Sequence, residues 1–230
     1  ARDYAHLVGR RVAREPAAHL FGRAGFWTLD LAVDARVLVP RADSETLVEA
    51  LLEARPSGRA GAPLRVLDLG TGSGCLALAL AREWPGAGID AVDASVEALA
   101  VARANAVRCD LDGRVAWRLG DWGRGLPGPY DVVVSNPPYI PSSEIAGLAP
   151  EVACYEPWMA LDGGPDGLDG YRALLPDLGR LLVPGGLAAL EVGAGQAAAV
   201  EALAVATGLK AAGRRRDLAG HDRCVLLACN

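Results

Sequence analysis

From Leu64 to the C-terminus the chain keeps switching between two hydrophobic periods, and that alternation restricts its fold more than any other feature. "LRVLDLG" reads as a buried strand, followed by a helix over about Gly74 to Trp84. "AGIDAVD" is a second strand, with a helix over Ser95 to Arg108, and "RVAWRLGD" and "YDVVVSN" are the third and fourth. A helix over Gly170 to Leu182 leads through "PGG" into "LAALEVG", the fifth. After a helix over 196–207, "LKAAGRRRDLAG" and "RCVLLACN" read as a closing pair of strands. Strands separated by helices form a parallel sheet covered on both faces, joined by right-handed crossovers. The expectation is an α/β fold with a doubly wound, mostly parallel sheet of seven strands.

Ahead of this pattern, residues 1–15 look like the end of a helix stopped near Pro16. "GFWTLDLAVDARVLVP" alternates apolar and polar residues and reads as a β-hairpin with Asp34-Ala35 in its middle. "RADSETLVEALLEA" reads as an amphipathic helix with Asp43 or Ser44 as N-cap, and 55–63 as a linker by composition. The expected division is 1–20, 21–60 with hairpin and helix, and 61–230 as the main domain.

Bulk properties remove several function classes. No apolar run reaches the ~18 residues of a membrane span, and no signal-peptide pattern opens the chain. The net charge of −5 argues against a dedicated nucleic-acid binder, which carries a basic footprint. Arg214-Arg215-Arg216 is the local exception and reads as a solvated edge. Cys75, Cys109, Cys154, Cys224 and Cys229 show no C-x-x-C spacing, so neither a zinc site nor a disulfide framework follows. No metal is expected, and a reducing, cytoplasmic home fits. Lys210 is the only lysine among many Arg, Ala and Gly, a composition that suggests a GC-rich bacterial genome.

In an open doubly wound sheet, ligands bind beyond the carboxyl ends of the strands. Four strand ends here carry polar residues. The first ends in "DLGTGSG", where Asp68, Gly70, Thr71, Gly72, Ser73 and Gly74 form a tight turn opening a helix. Glycines let a backbone approach a ligand, and a helix N-terminus favours an anion. A dinucleotide fingerprint would need glycine at position 75, where Cys75 stands. Asp93 lies 19 residues beyond Gly74 and can accept both ribose hydroxyls. Its bland alternative is a cap for the helix starting near Ser95; Asp90, mid-strand, is the rival acid. At the third strand end Trp122 can lie against an adenine while Asp121 accepts from its amino group. These parts describe a pocket for adenosine with an anionic tail, and the absence of a P-loop lysine disfavours ATP hydrolysis.

The fourth strand runs into Asn136-Pro137-Pro138-Tyr139. Neither proline can donate to a ladder, so the chain leaves the sheet stiffly, with a carboxamide and an aromatic ring just past the edge. Glycine turn, acid and N-P-P-Y in this order resemble class I S-adenosylmethionine-dependent methyltransferases, in the variant that methylates planar nitrogens. The resemblance implies that the Asn136 side-chain oxygen and the Pro137 carbonyl bind the two hydrogens of the acceptor nitrogen, while Tyr139 stacks on the flat substrate group. Asn136, Pro137 and Tyr139 are thus the expected catalytic residues, and Asn136 to Tyr139, with Pro138, the expected substrate site.

Longer stretches narrow the resemblance. "FGRAGFWTLDLAVDARVLVPRADSETLVE", "NPPYIP", "YEPWMALDGGPDGLDGYRALL", "LEVGAGQ" and "RDLAGHDRCVLL" look like the release-factor glutamine N5-methyltransferase family, from about Glu15 to the end. That family implies methylation of the glutamine in the Gly-Gly-Gln motif of class I peptide-chain release factors. S-adenosylmethionine would meet Asp68, Gly70 to Gly74, Asp93, Asp121, Trp122 and Asn136. Residues 1–20 would be a remnant of the family's N-terminal helical domain. Ala42 and Ser44 depart from the family's usual Pro and Thr. The nearest alternative is an N6-adenine methyltransferase acting on RNA or DNA, which requires a basic face that is not found. A catalytically silent cofactor-binding scaffold and a nicotinamide dehydrogenase fit less well, the first against the intact N-P-P-Y and the second against Cys75. No stable binding of nucleic acid or membrane is expected. His6, His19 and His221 lie in no crevice motif, which predicts a flat pH response of activity between about 6 and 8.

Overall fold

The computed structural model describes residues 2–229. In chain order the first elements are α1 (Arg2–Val12), α2 (Ala17–Phe21), β1 (Arg23–Phe26), β2 (Leu29–Ala32) and α3 (Glu45–Ala54). β3 (Arg65–Leu69), α4 (Cys75–Glu83), β4 (Gly88–Asp93), α5 (Val96–Arg108), β5 (Val115–Leu119) and β6 (Tyr130–Ser135) follow. The rest comprises α6 (Pro150–Ala153), α7 (Asp169–Leu181), β7 (Leu182–Glu191), α8 (Ala197–Ala206), β8 (Lys210–Arg216) and β9 (Asp222–Ala228). Seven strands form one sheet in the order β5-β4-β3-β6-β7-β9-β8. The pairs from β5 to β7 are parallel, and β9 is antiparallel to both β7 and β8.

The alternation of side chains along each strand explains the two layers. Val66, Val132, Val134, Leu187 and Leu226 face α3 and α4, where Leu47, Leu51, Leu78 and Trp84 bury against them. Leu67, Val133, Leu190, Val225 and Leu227 face the other way, onto Leu174 and Leu178 of α7 and Val200 of α8. The same first layer takes in Phe26, Leu29 and Leu31 of the small sheet. At the far edge, β8 is a short exposed strand whose arginines are paired, Arg214 with Glu201 and Asp222, Arg215 with Glu53, and Arg216 with Asp222. Charge along an unpaired edge discourages further strand pairing.

Three local expectations are corrected. The hairpin turns at Trp27-Thr28, since Phe26 faces Leu29 across it, and Trp27 takes φ +54°. Asp34 instead accepts from the Arg36 backbone N–H at 3.0 Å in a turn that sends Val37 into a cluster with Ala98 and Val101 of α5. Ser44 stands at the N-cap of α3 but makes no capping bond: its backbone is already helical (φ −68°, ψ −18°) and its hydroxyl turns toward Glu191 and Asn136. The fifth strand of the main sheet begins at Leu182 rather than after "PGG": Tyr130 pairs with Leu182 and Val132 with Leu187, so Val183–Gly186 bulge out.

Candidate active site

The sheet changes winding direction at β3, and the cleft lies beyond the carboxyl ends of β3, β4, β5 and β6. Its volume is about 710 Å³. Gly70, Thr71, Gly72 and Ser73 form one side, Asp93, Asp121 and Trp122 another, and Asn136 and Pro138 the end nearest β6. Four separated sequence segments thus meet at one place.

The turn after β3 works because its glycines sit at φ +72°, +54° and +83° (Gly70, Gly72, Gly74), a region that side chains avoid. The Gly70 and Thr71 amides both donate to Val92 O, at 2.9 and 3.0 Å, which draws the turn over β4. Gly74 does not line the cleft: a Cβ there would stand 3.0 Å from Trp117 and 3.2 Å from Ala102, so it permits close packing of α4 on α5. Asp93 accepts from the Gly72 amide through Oδ2 at 2.8 Å and from the Ser95 amide through Oδ1 at 2.9 Å. It therefore holds both the glycine turn and the start of α5, and each oxygen keeps a second lone pair for a ligand. Asp90, the rival, is committed to Arg118 (2.7 Å) and the Tyr130 hydroxyl (2.9 Å). Asp121 is exposed and pairs with Arg124 at 2.5 Å. Trp122, at φ +50°, lies 3.5 Å from where a Gly70 Cβ would be.

Asp68 is 1% exposed and sits beneath this turn. Its Oδ2 accepts from Thr71 Oγ1 (2.6 Å) and the Ala77 amide (3.2 Å), whereas Oδ1 is buried with no partner. Burial pushes its carboxyl up to about 7. A carboxyl that gains a proton on folding lends stability below its unfolded value near 3.8, and that stability drains away as pH rises toward 7. Asp68→Asn should therefore gain on the wild type by on the order of 2 kcal/mol between pH 5 and 8 in urea unfolding of the ligand-free protein. An offset independent of pH would place the proton elsewhere.

The N-P-P-Y segment is braced by residues that no local pattern announced. Asn136 Nδ2 donates to Ser44 Oγ at 3.2 Å, and Ser44 Oγ donates to Glu191 Oε2 at 2.5 Å. The Tyr139 hydroxyl donates to Glu191 Oε1 at 3.2 Å, and Gln196 Nε2 donates to Tyr139 O at 2.9 Å. Burial and the Glu191 carboxylate raise the Tyr139 pKa, so it stays a hydroxyl. Pro137 is buried, and neither it nor Tyr139 lines the cleft. Gly170 lets the start of α7 approach, a Cβ there being 3.1 Å from both Pro137 Cβ and Pro138 O. Gly167, at φ +75°, would place a Cβ 2.4 Å from Tyr139 O and 2.6 Å from Gln196 Nε2. Gly167→Ala should thus cost about 2 kcal/mol or more in urea unfolding, from backbone strain and overpacking, and lower kcat by moving Tyr139. A variant as stable and active as wild type would mean that the segment is free to shift.

Asn105 is another residue the sequence did not mark. Buried in α5, it accepts from the Ala32 amide (2.7 Å) and donates to Ala32 O (3.0 Å) and Ser73 O (2.9 Å), tying β2 to the glycine turn. On the opposite rim, Trp158 and Met159 are 54% and 67% exposed and line the cleft mouth. Trp158 Nε1 donates to Asp162 Oδ2 at 3.0 Å. His6 and His221 do not line the cleft, nor does His19, whose pKa burial lowers. Carboxyls line the cleft or lie behind it, and burial raises the pKa of two of them, Asp68 and Glu191. Among the described residues no group of three or more His, Cys, Asp or Glu is gathered as a metal would require. Nor is any helix among them long and apolar enough to cross a membrane.

A seven-stranded sheet with a single antiparallel strand, β9, next to one edge and a cleft at its winding reversal has the architecture of the class I methyltransferases. It superposes on a methyltransferase from Pyrococcus furiosus with a TM-score of 0.61 at 21% identity, over 99% of this chain and 96% of that one. Residues 42–149 match the methyltransferase small domain family. The chain is 50% identical to the release factor glutamine methyltransferase of Caulobacter vibrioides, over 94% of its own length and 74% of that protein. It is 48% identical to the enzyme of the same name from Gloeobacter violaceus, over 96% and 78% respectively. The chain belongs to the release factor glutamine methyltransferase family.

Proposed function

We propose that this chain transfers a methyl group from S-adenosylmethionine to the side-chain nitrogen of the glutamine in the Gly-Gly-Gln motif of class I peptide-chain release factors. The observation that carries the proposal is a pair of vacant acceptors at the end of β6. Among the described residues nothing donates to Asn136 Oδ1 or to Pro137 O, whereas Asn136 Nδ2 and the hydroxyl and carbonyl of Tyr139 are each engaged. An amide NH₂ has two hydrogens for two such oxygens.

The residues fit the cofactor. The cleft volume of about 710 Å³ falls within the range for small-molecule sites. Nothing lies within 4 Å of a Cβ position at Gly72, and Asp68 Oδ1 is a buried polar atom without a partner beneath the turn. Gly70 to Ser73 with Asp68, Asp93 for the ribose hydroxyls, and Asp121 with Trp122 for the adenine would hold it. When bound, S-adenosylmethionine supplies an electrophilic sulfonium methyl group.

The chain's own residues act on the acceptor. An amide nitrogen is a poor nucleophile because its lone pair is delocalised into the carbonyl. Asn136 Oδ1 and Pro137 O accept its two hydrogens, aim its lone pair at the incoming carbon and meet the positive charge that grows on nitrogen. Two prolines hold the acceptors in place beforehand. The methylated amide cation is acidic enough to release a proton to water, so no general base is required. Residues 61–230 serve as the catalytic domain; Pro138 offers a wall to the flat substrate group, and Tyr139 supports the segment from behind. The release factor is a protein partner, no stable nucleic-acid complex forms, and the reaction belongs in the cytoplasm. Transfer of labelled methyl to a purified release factor, absent from its Gln→Ala variant and from bulk RNA, is the expected result. Labelling of RNA adenine instead would favour the adenine-directed alternative.

A further inference from the structure

We infer that Glu191, acting through Ser44, is a positioning residue that dictates which way round the Asn136 amide faces the cleft. The inference rests on the methyl-transfer reading above and on the polarity of one hydrogen-bond chain. A serine hydroxyl has a single proton and two lone pairs. The Ser44 proton goes to Glu191 Oε2 at 2.5 Å. What Ser44 then offers Asn136 is a lone pair, which only an N–H can meet, and Asn136 Nδ2 meets it at 3.2 Å. The amide is held with its NH₂ inward and Oδ1 toward the substrate. The reverse rotamer would set two lone pairs against each other and present N–H groups to the nitrogen that must be methylated.

Both oxygens of the carboxyl at the root of the chain act as acceptors. Glu191 is 1% exposed, and its other oxygen takes the Tyr139 hydroxyl at 3.2 Å. The cation facing it is Arg223, from β9, itself fixed by Asp217 at 3.0 Å and by Val192 O at 3.1 Å. Burial raises the Glu191 pKa above the usual carboxyl range and Asp43 adds to it, while Ser44, Arg223 and Tyr139 pull the other way. Tyr171 donates to the Glu191 backbone carbonyl at 2.8 Å and locks the strand end in place. Thus one buried carboxylate orders both ends of the N-P-P-Y segment, Asn136 through Ser44 and Tyr139 directly.

The test is a double-mutant cycle on single-turnover methylation of a purified release factor at saturating S-adenosylmethionine. Ser44→Ala should lower the rate roughly 10- to 50-fold, as expected for a misaimed catalytic group, with cofactor affinity within about twofold of wild type. Ser44→Thr, which keeps the hydroxyl, should restore the rate to within about threefold. In an Asn136→Ala background Ser44→Ala should cost nothing more, because the group it orients is gone. Glu191→Gln, close in shape but offering an N–H to one neighbour, should behave like Ser44→Ala and supplies the test should that variant unfold. An unchanged rate in Ser44→Ala, or the same loss with and without Asn136, would overturn the inference and leave the function intact. A near-normal rate in Asn136→Ala alone would overturn the reading on which it rests.

Discussion

Replacing Asn136 by alanine is expected to lower kcat roughly 10²- to 10³-fold, the loss that follows removal of one preorganised polar partner from a developing charge. The glycine turn proposed to cradle the cofactor is held without this side chain: Asp93 holds Gly72, and the Val92 carbonyl holds Gly70 and Thr71. Affinity for S-adenosylmethionine should therefore stay within about twofold, placing the effect on the chemical step. Asn136→Asp adds a sharper reading. Aspartate has no N–H to give to the Ser44 lone pair, so it keeps an acceptor in the cleft while breaking the bond behind it. Its rate should lie between alanine and wild type. Single-turnover methylation of a release factor by the three forms decides the matter, and near-wild-type rates for alanine would reduce N-P-P-Y to a stiff turn.

Asp93→Ala should weaken S-adenosylmethionine binding by on the order of 1.5–3 kcal/mol, the size of charge-assisted hydrogen bonds to ribose hydroxyls. The structure adds a second consequence. The same carboxylate receives the Gly72 and Ser95 amides, so alanine leaves two backbone donors without partners where the glycine turn meets α5. Thermal stability of the ligand-free protein should fall as well. Asp93→Asn retains one oxygen and separates the roles, keeping part of the brace while losing the charge. Calorimetric titration of both variants provides the measurement: unchanged affinity in alanine would remove Asp93 from the ribose site. Lost affinity with full stability would show that its backbone bonds are incidental.

Much of the fold was legible in the sequence because it is written in local patterns. The order of strands and helices from Arg65 onward follows from hydrophobic period, and each strand overlaps a run that reads as one, although β7 starts at Leu182, ahead of its run. The departures came where a tertiary partner outbid a local rule. A hairpin centred on Asp34-Ala35 is reasonable by residue type, yet burial of Phe26, Leu29 and Leu31 fixes the register that puts Trp27 in the turn. Ser44 has the right chemistry for an N-cap, but its backbone is helical there and its side chain turns toward Glu191, 147 positions away.

Gly70 to Ser73, Asp93, Asp121, Trp122 and Asn136 could be marked from sequence for one reason. Residues at the carboxyl ends of parallel strands share an edge whatever the details of packing, and the alternation of elements alone locates those ends. What the chain could not disclose by itself was the support behind that edge. Asp68 was placed with the cofactor turn, but its orphaned oxygen and its carboxyl near 7 are products of complete burial. The bonds from Ser44 and Glu191 to Asn136 and Tyr139, the Gln196 bond to Tyr139 O, and the tight seat of Gly167 join residues from four distant segments. Period, turn chemistry and spacing describe a residue's near neighbours along the chain, and they were enough to determine the layers, the strand ends and the chemistry facing the cleft. Which proton points where depends on contacts made only after the sheet has closed around them, and so only the tertiary structure could decide it.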